Sequence, residues 1–175
     1  MEFQVKDTIP HPRETVWTTH RDHLVELAEY LPNIETIEVE SRTDEGDITR
    51  LVNLWKAAPT EVPAPARPFI KPEMLRWIDR ATWNRGEWRC QWDIELGFLP
   101  EAVSARGFNR FLEEDGHCTI EINGEIEVRA DRIPGVPRLV AGRLSGAIEK
   151  FVVNLIRPNL LKTNEAARRF IESHG

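Results

Sequence analysis

Only two cysteines, Cys90 and Cys118, occur in the 175 residues, and both stand in otherwise apolar patterns. That argues against a disulfide framework, and neither has the spacing of a zinc site, so buried free thiols are expected. Long apolar runs are also missing. No stretch approaches the roughly 18 residues of a membrane span, and Met1 to Pro10 reads as an alternating strand, without the apolar stretch of a signal peptide. The expectation is a cytoplasmic protein without stable membrane insertion. Excess positive charge is absent too, with 23 Lys and Arg against 29 Asp and Glu and a net charge of -6. Binding to a phosphate backbone is driven by clustered Lys and Arg, so no nucleic-acid partner is expected.

Catalytic signatures are equally sparse. There is no Gly-x-Ser-x-Gly elbow and no Gly-rich phosphate loop. His20 and His23 lie three apart with Asp22 between them, but no second ligand pair accompanies them. They read as solvated residues at a helix junction, and no metal is expected. His11, His117 and His174 have no recognisable base or nucleophile partner, and no cofactor is expected. Tyr30, the only tyrosine, falls near the end of a short helix and is expected to pack against a sheet. No internal repeat or low-complexity tail is present.

What is present is the composition of one globular domain spanning 1–175, with 41% hydrophobic and 30% charged residues. Glu2 to Ile9 alternates, with Phe3, Val5 and Ile9 on one face. Pro10 and Pro12 stop it, and a helical pattern begins just after Pro12, where a missing backbone donor does no harm. Asp22 is placed as the N-cap of a second short helix carrying Leu24, Leu27, Ala28 and Leu31 on one side.

From Ile34 the period returns to two. Ile37 and Val39 lead into the turn Asp44-Glu45-Gly46-Asp47, and Ile48 to Lys56 returns as a strand. Leu75 to Trp83, Glu87 to Leu96, Ala102 to Glu113 and His117 to Ala130 follow, separated by short turns that permit only antiparallel neighbours. Trp88, Cys90, Trp92, Ile94 and Leu96 share one face of a strand, and Cys118, Ile120, Ile122, Ile126 and Val128 share one face of another. Such division marks a sheet with one wet and one covered side. The only long helical pattern comes last, through Leu144, Ile148, Phe151 and Leu155, with Pro158 predicted to kink or break it and Ala167, Phe170 and Ile171 available for packing. Between two strands, 57–72 holds Pro59, Pro63, Pro65, Pro68 and Pro72. Five prolines exclude a helix interior and a central strand, which leaves a long loop, either a surface insertion or a lid carrying Phe69 and Ile70.

This order is similar to that of the START-like superfamily, also called SRPBCC, which includes polyketide cyclases, the birch-pollen allergen family and lipid-transfer domains. Pro10-His11-Pro12-Arg13-Glu14-Thr15-Val16-Trp17 resembles its strand-Pro-helix-Trp opening, Leu31-Pro32-Asn33-Ile34 its turn into strand two, and Gly142 to Val152 the start of its closing helix. Within the superfamily the chain looks most like bacterial members of undefined function. The resemblance implies an α+β helix-grip fold: a curved seven-stranded antiparallel sheet, two short helices after strand one and a long C-terminal helix. It also implies a cavity between sheet and helix. The superfamily has no universal catalytic motif, so no reaction is implied.

The residues expected to line that cavity are Asn53, Trp55, Trp77, Asp79, Trp83, Trp92, Ile94, Ala105 and Ile122 from the strands, with Ile148, Phe151 and Leu155 from the last helix. Ala81, Ala105, Gly107 and Gly124 stand among large neighbours, which means either tight interdigitation or room for a guest. Asn53, Asp79 and Asn109 fall in apolar faces and must find a partner in protein, water or ligand. Gly107 is a candidate bulge, which leaves the faces of Phe108 and Asn109 open. Asp79 is the one candidate acid or base, should apolar surroundings raise its pKa. Three functions follow. The first is a non-catalytic carrier or sensor for a lipid or other hydrophobic small molecule, with transient membrane contact through Phe69 and Ile70. The second is a cyclase or dehydratase of the same fold, and the third a partner-binding regulatory domain.

Overall fold

The computed structural model describes residues 1–58, 75–97, 101–132, 139 and 158–175. Its first element, β1 (Glu2–Ile9), buries Phe3, Val5 and Ile9 and turns the intervening residues outward, as period two requires. Helix α1 (Arg13–Asp22) starts directly after Pro12, whose carbonyl accepts the Val16 amide at 3.1 Å. Helix α2 (Leu24–Leu27) follows and tightens into a 3-10 turn over Ala28–Tyr30. The N-cap of α2 is His23, not Asp22. Asp22 ends α1 because its carboxylate is taken by Arg21 at 2.7 Å and Arg42 at 2.8 Å, two guanidinium partners that compete successfully with a backbone cap.

Six strands then run consecutively: β2 (Ile34–Glu45), β3 (Ile48–Ala57), β4 (Arg76–Asn84), β5 (Arg89–Leu96), β6 (Val103–Glu114) and β7 (His117–Val128). They form one antiparallel sheet in the order β1-β7-β6-β5-β4-β3-β2. Short connections join β2 to β3, β4 to β5, β5 to β6 and β6 to β7, whereas residues 58–75 separate β3 from β4, and β1 extends the sheet by pairing with β7 from Glu2 opposite Glu125 to Ile9 opposite Cys118. Trp88 belongs to the β4–β5 turn instead of the strand; its backbone adopts φ 50°, which ends the ladder one residue before Arg89. Gly107 is not a bulge. It pairs in regular register with Trp92 and Gly124, and the register shifts occur in β2, between Ile34 and Thr36 and between Val39 and Ser41.

The pair Gly107–Gly124 decides the small-against-large question at the centre of the sheet. A Cβ on Gly107 would lie 2.2 Å from the Asn123 carbonyl oxygen and 2.5 Å from the Trp92 ring, and one on Gly124 would lie 2.3 Å from Phe3. The missing side chains are filled by the two flanking rings, which is interdigitation. Gly107→Ala forces an aromatic ring and a backbone carbonyl apart and is expected to cost about 1–3 kcal/mol. A urea midpoint equal to that of the wild type contradicts this packing.

Helical residues 158–174 (α3) bury Ala166, Ala167, Phe170 and Ile171. Tyr30 packs on this helix and not on the sheet, with its hydroxyl 2.8 Å from that of Ser173 and its ring edge-on to Phe170. His20 is likewise not solvated. It is 6% exposed, its Nδ1–H donates to the Val16 carbonyl at 2.9 Å, and its Nε2 faces Asn164 Oδ1 at 3.2 Å. The Asn164 amide in turn donates to Asp7 at 3.1 Å. This buried chain ties α1, α3 and β1 together, and burial lowers the His20 pKa. His23 does face solvent, beside Glu26. Both cysteines are free and buried, and among the described residues no cluster of metal-ligating side chains occurs. No helix among them is long and apolar enough to cross a membrane. Ile148, Phe151, Leu155, Phe69, Ile70 and the stretch leading into Pro158 lie outside the described residues.

Candidate functional site

Alternation sends one face of every strand inward, and the antiparallel register lines these residues up in rows across the sheet. At the end nearest α1 the rows are closed. Trp17 is fully buried and meets Trp83, Trp88 and Phe111 edge-on, with ring centroids 4.9, 5.4 and 5.1 Å away. Trp83 therefore belongs to a packed aromatic cluster beneath α1. Trp92 lies across the glycine pair and donates its indole N–H to Asn109 Oδ1 at 2.9 Å, which supplies the partner that an inward Asn109 needs. Ala105 and Ile122 are buried in the same sheet centre.

Towards the other end the inner face is less covered. Asn53 pairs with Asp79, and Asp79 with Ile94, in one row; Trp55, Trp77 and Leu96 form the next. Trp55, Trp77, Ile94 and Leu96 are only half-buried, whereas the aliphatic residues of β7 are fully enclosed. The Trp55 and Trp77 rings stack at 5.6 Å with 17° between their planes. Leu96, absent from the lining expected on sequence, joins this group through its pairing with Trp77.

Polar chemistry sits inside this apolar end. Asn53 is 1% exposed and donates its amide to Asp79 Oδ2 at 3.2 Å, while its own Oδ1 is buried without a partner. The Trp55 indole N–H is also buried and short of a full hydrogen bond, yet it lies near enough to Asp79 to favour the ionised carboxyl. Asp79 as a whole retains some exposure, but its carboxyl is set deep. Loss of solvent raises its pKa to about 6, against the opposing pull of Asn53 and Trp55; the negative charge of Asp93 raises it further. Cys90 is pushed well up by burial and by the Asp79 charge, which leaves it a protonated thiol and no nucleophile. Among the described residues no Lys or Arg forms an ion pair with Asp79.

Other depressions differ in kind. One of about 120 Å³ lies on the outer face, among Thr82, Asn84, Glu87, Arg89 and Gln91, and one of about 210 Å³ lies at the β1 edge beside Gln4, Lys6 and Glu121. Neither is lined by Asn53, Trp55, Trp77 or Asp79. The sequence-predicted residues thus divide. Asn53, Trp55, Trp77, Asp79 and Ile94 come together, whereas Trp83, Trp92, Ala105 and Ile122 complete the packed part of the sheet.

A seven-stranded antiparallel sheet with two short helices after its first strand and a C-terminal helix is the helix-grip arrangement. Solved structures agree. The chain is similar over its whole length to TTHA0849 from Thermus thermophilus, with 21% identity, full coverage of both chains and a TM-score of 0.67. It is similar to the Zhui aromatase/cyclase from Streptomyces sp. R1128, at 14% identity over 98% of this chain and 93% of that one, with a TM-score of 0.70. Norcoclaurine synthase from Thalictrum flavum, in complex with dopamine and hydroxybenzaldehyde, is similar at 15% identity over 100% of this chain and 88% of that one, TM-score 0.65. No curated protein sequence matches. The chain itself belongs to the family described as "Protein of unknown function (DUF2505)", which matches residues 4–171.

Proposed function

We propose that this protein is a single domain that holds a hydrophobic small molecule or lipid against the inner face of its sheet, as a carrier or sensor. The observation that carries this reading is the half-covered apolar end of that face, where Asn53 Oδ1 is buried without a partner and the Trp55 indole N–H reaches Asp79 only short of a full hydrogen bond. A buried polar atom left unpaired costs about 1–3 kcal/mol. The unpaired Asn53 oxygen, in a wall that is apolar apart from Asn53 and Asp79, is accounted for when a guest supplies its hydrogen bond. The tryptophan walls suit a flat or chain-like apolar body, since they give broad contact area at low entropic cost.

Binding is expected to change the emission of Trp55 and Trp77. Native mass spectrometry of the protein purified from cells is expected to show a retained apolar molecule, and Trp55→Phe to remove most of the fluorescence response when such a molecule is added back. A protein that emerges empty and whose tryptophan emission ignores a panel of sterols, fatty acids and aromatic polyketides contradicts the proposal.

A second reading, an enzyme of the cyclase type, draws on one observation. Asp79 has a pKa raised to about 6 and faces the same space. A carboxyl near neutrality exchanges protons efficiently, and confinement alone lowers the barrier for folding a reactive chain. Two of the similar structures are named as an aromatase/cyclase and a synthase, which is consistent with it. Turnover of a cyclisable substrate that is lost in Asp79→Asn supports this reading; unchanged turnover in that variant removes Asp79 from it.

A further inference from the structure

The polar groups at the open end of the inner face are unevenly matched. Asp79 Oδ2 receives the Asn53 amide, and no hydrogen bond among the described residues reaches its Oδ1. Asn53 Oδ1 is a second acceptor, buried and unpartnered. The Asn53 orientation follows from its neighbour, since turning the amide over would set its oxygen against a carboxylate. On the donor side, among the described residues, the Trp55 N–H alone is left over, and it already leans towards Asp79. Among the described residues the space therefore offers more acceptors than donors, and the one formal charge there is negative. Two stacked indoles, Trp55 and Trp77, border it. Their π faces attract cations.

A ligand group that answers this inventory has several N–H donors and a positive charge. A hydroxyl brings one donor, a carbonyl none, and a carboxylate adds acceptors and a repelling charge. An ammonium brings three donors and the opposite charge. Resting on the hydrophobe-binding reading above, we infer that the natural ligand of this site is an amine: an apolar chain or ring system whose protonated nitrogen sits on Asp79 and Asn53 Oδ1, against the Trp55–Trp77 pair. The apolar part of the molecule occupies the remaining inner face near Ile94 and Leu96.

Three probes of one chain length separate the contributions: dodecylamine, dodecanol and dodecanoate, each titrated below its micellar range into the full chain and followed by tryptophan emission and calorimetry. Dodecylamine is expected to bind at least about tenfold more tightly than dodecanol, the ratio set by a contact of roughly 1.4 kcal/mol, and dodecanoate most weakly. In Asp79→Asn the ratio of amine to dodecanol affinity is expected to fall to about one. This controls for general attraction of a cation to an acidic protein. Equal affinity for amine and alcohol in the wild type, or a preference for dodecanoate, overturns the inference and leaves hydrophobe binding standing. So does an amine preference that survives in Asp79→Asn and equally in Asp79→Ala. Failure of all three probes to bind overturns the underlying reading and the inference with it.

Discussion

Asp79→Asn is expected to make the protein more stable at pH 8, by about 2–3 kcal/mol. The sign follows from where the charge is penalised. The folded state raises the Asp79 pKa from its ordinary 3.8 to about 6, first through burial. Between those values the folded chain binds more protons than the unfolded one, so stability falls as pH rises through that window and stays reduced above it. Below about pH 4 both states are protonated and the penalty disappears. Moving a carboxyl by that much corresponds to about 3 kcal/mol, trimmed because the residue keeps some exposure. Asn has nearly the same volume, carries no charge and brings an amide that Asn53 Oδ1 can accept. Urea midpoints measured from pH 4 to pH 8 are expected to fall for the wild type relative to the variant. A variant no more stable than the wild type at pH 8 shows that the carboxyl is compensated in the folded state. Charge retained at such a cost to the fold is the mark of a site kept for binding or chemistry.

Trp17→Ala is expected to have the opposite effect and the largest magnitude, a loss of about 3–5 kcal/mol. Trp17 is fully buried, and three aromatic neighbours meet it edge-on. Truncation opens a void that neither α1 nor the hairpin carrying Trp88 can collapse to fill, because Arg13 stacks over Trp88 at 4.1 Å and fixes the approach of both. Trp17→Phe is milder. It loses area but also removes an indole N–H that is buried without a partner. Thermal melts that rank the alanine variant as no worse than the phenylalanine variant would contradict the cluster.

The sheet is legible in the sequence because its strands alternate cleanly. Period alone puts Cys118, Ile120, Ile122, Ile126 and Val128 on one face, and all are buried. The inner position of Asn53 and Asp79 comes from the same alternation. What alternation cannot supply is the third dimension along a face. Trp77 and Trp83 share a face of β4 six residues apart, and period two treats them alike. Only the placement of α1 makes one of them core and leaves the other half-open. The His20–Asn164 contact is out of reach for a related reason. It joins residues 144 apart, and nothing near either one signals the other. Read locally, His20 looks like a neighbour of Asp22 and His23; in the folded chain it meets Val16 of its own helix and Asn164 of α3, distant in sequence. The spacing of Trp88 fits β5, but the left-handed backbone at that residue is a feature of hairpin closure that hydrophobicity does not encode.

The pairing of β1 with β7 also governs how the chain matures. Thr8 meets Thr119 across that ladder, 111 residues later. During synthesis the first strand leaves the ribosome long before its neighbour in the sheet exists, carrying Phe3, Val5 and Ile9 with nothing to cover them. Contacts of such high sequence separation slow folding and prolong the lifetime of sticky intermediates. The apolar face of β1 therefore waits, during synthesis, for a strand made more than a hundred residues later.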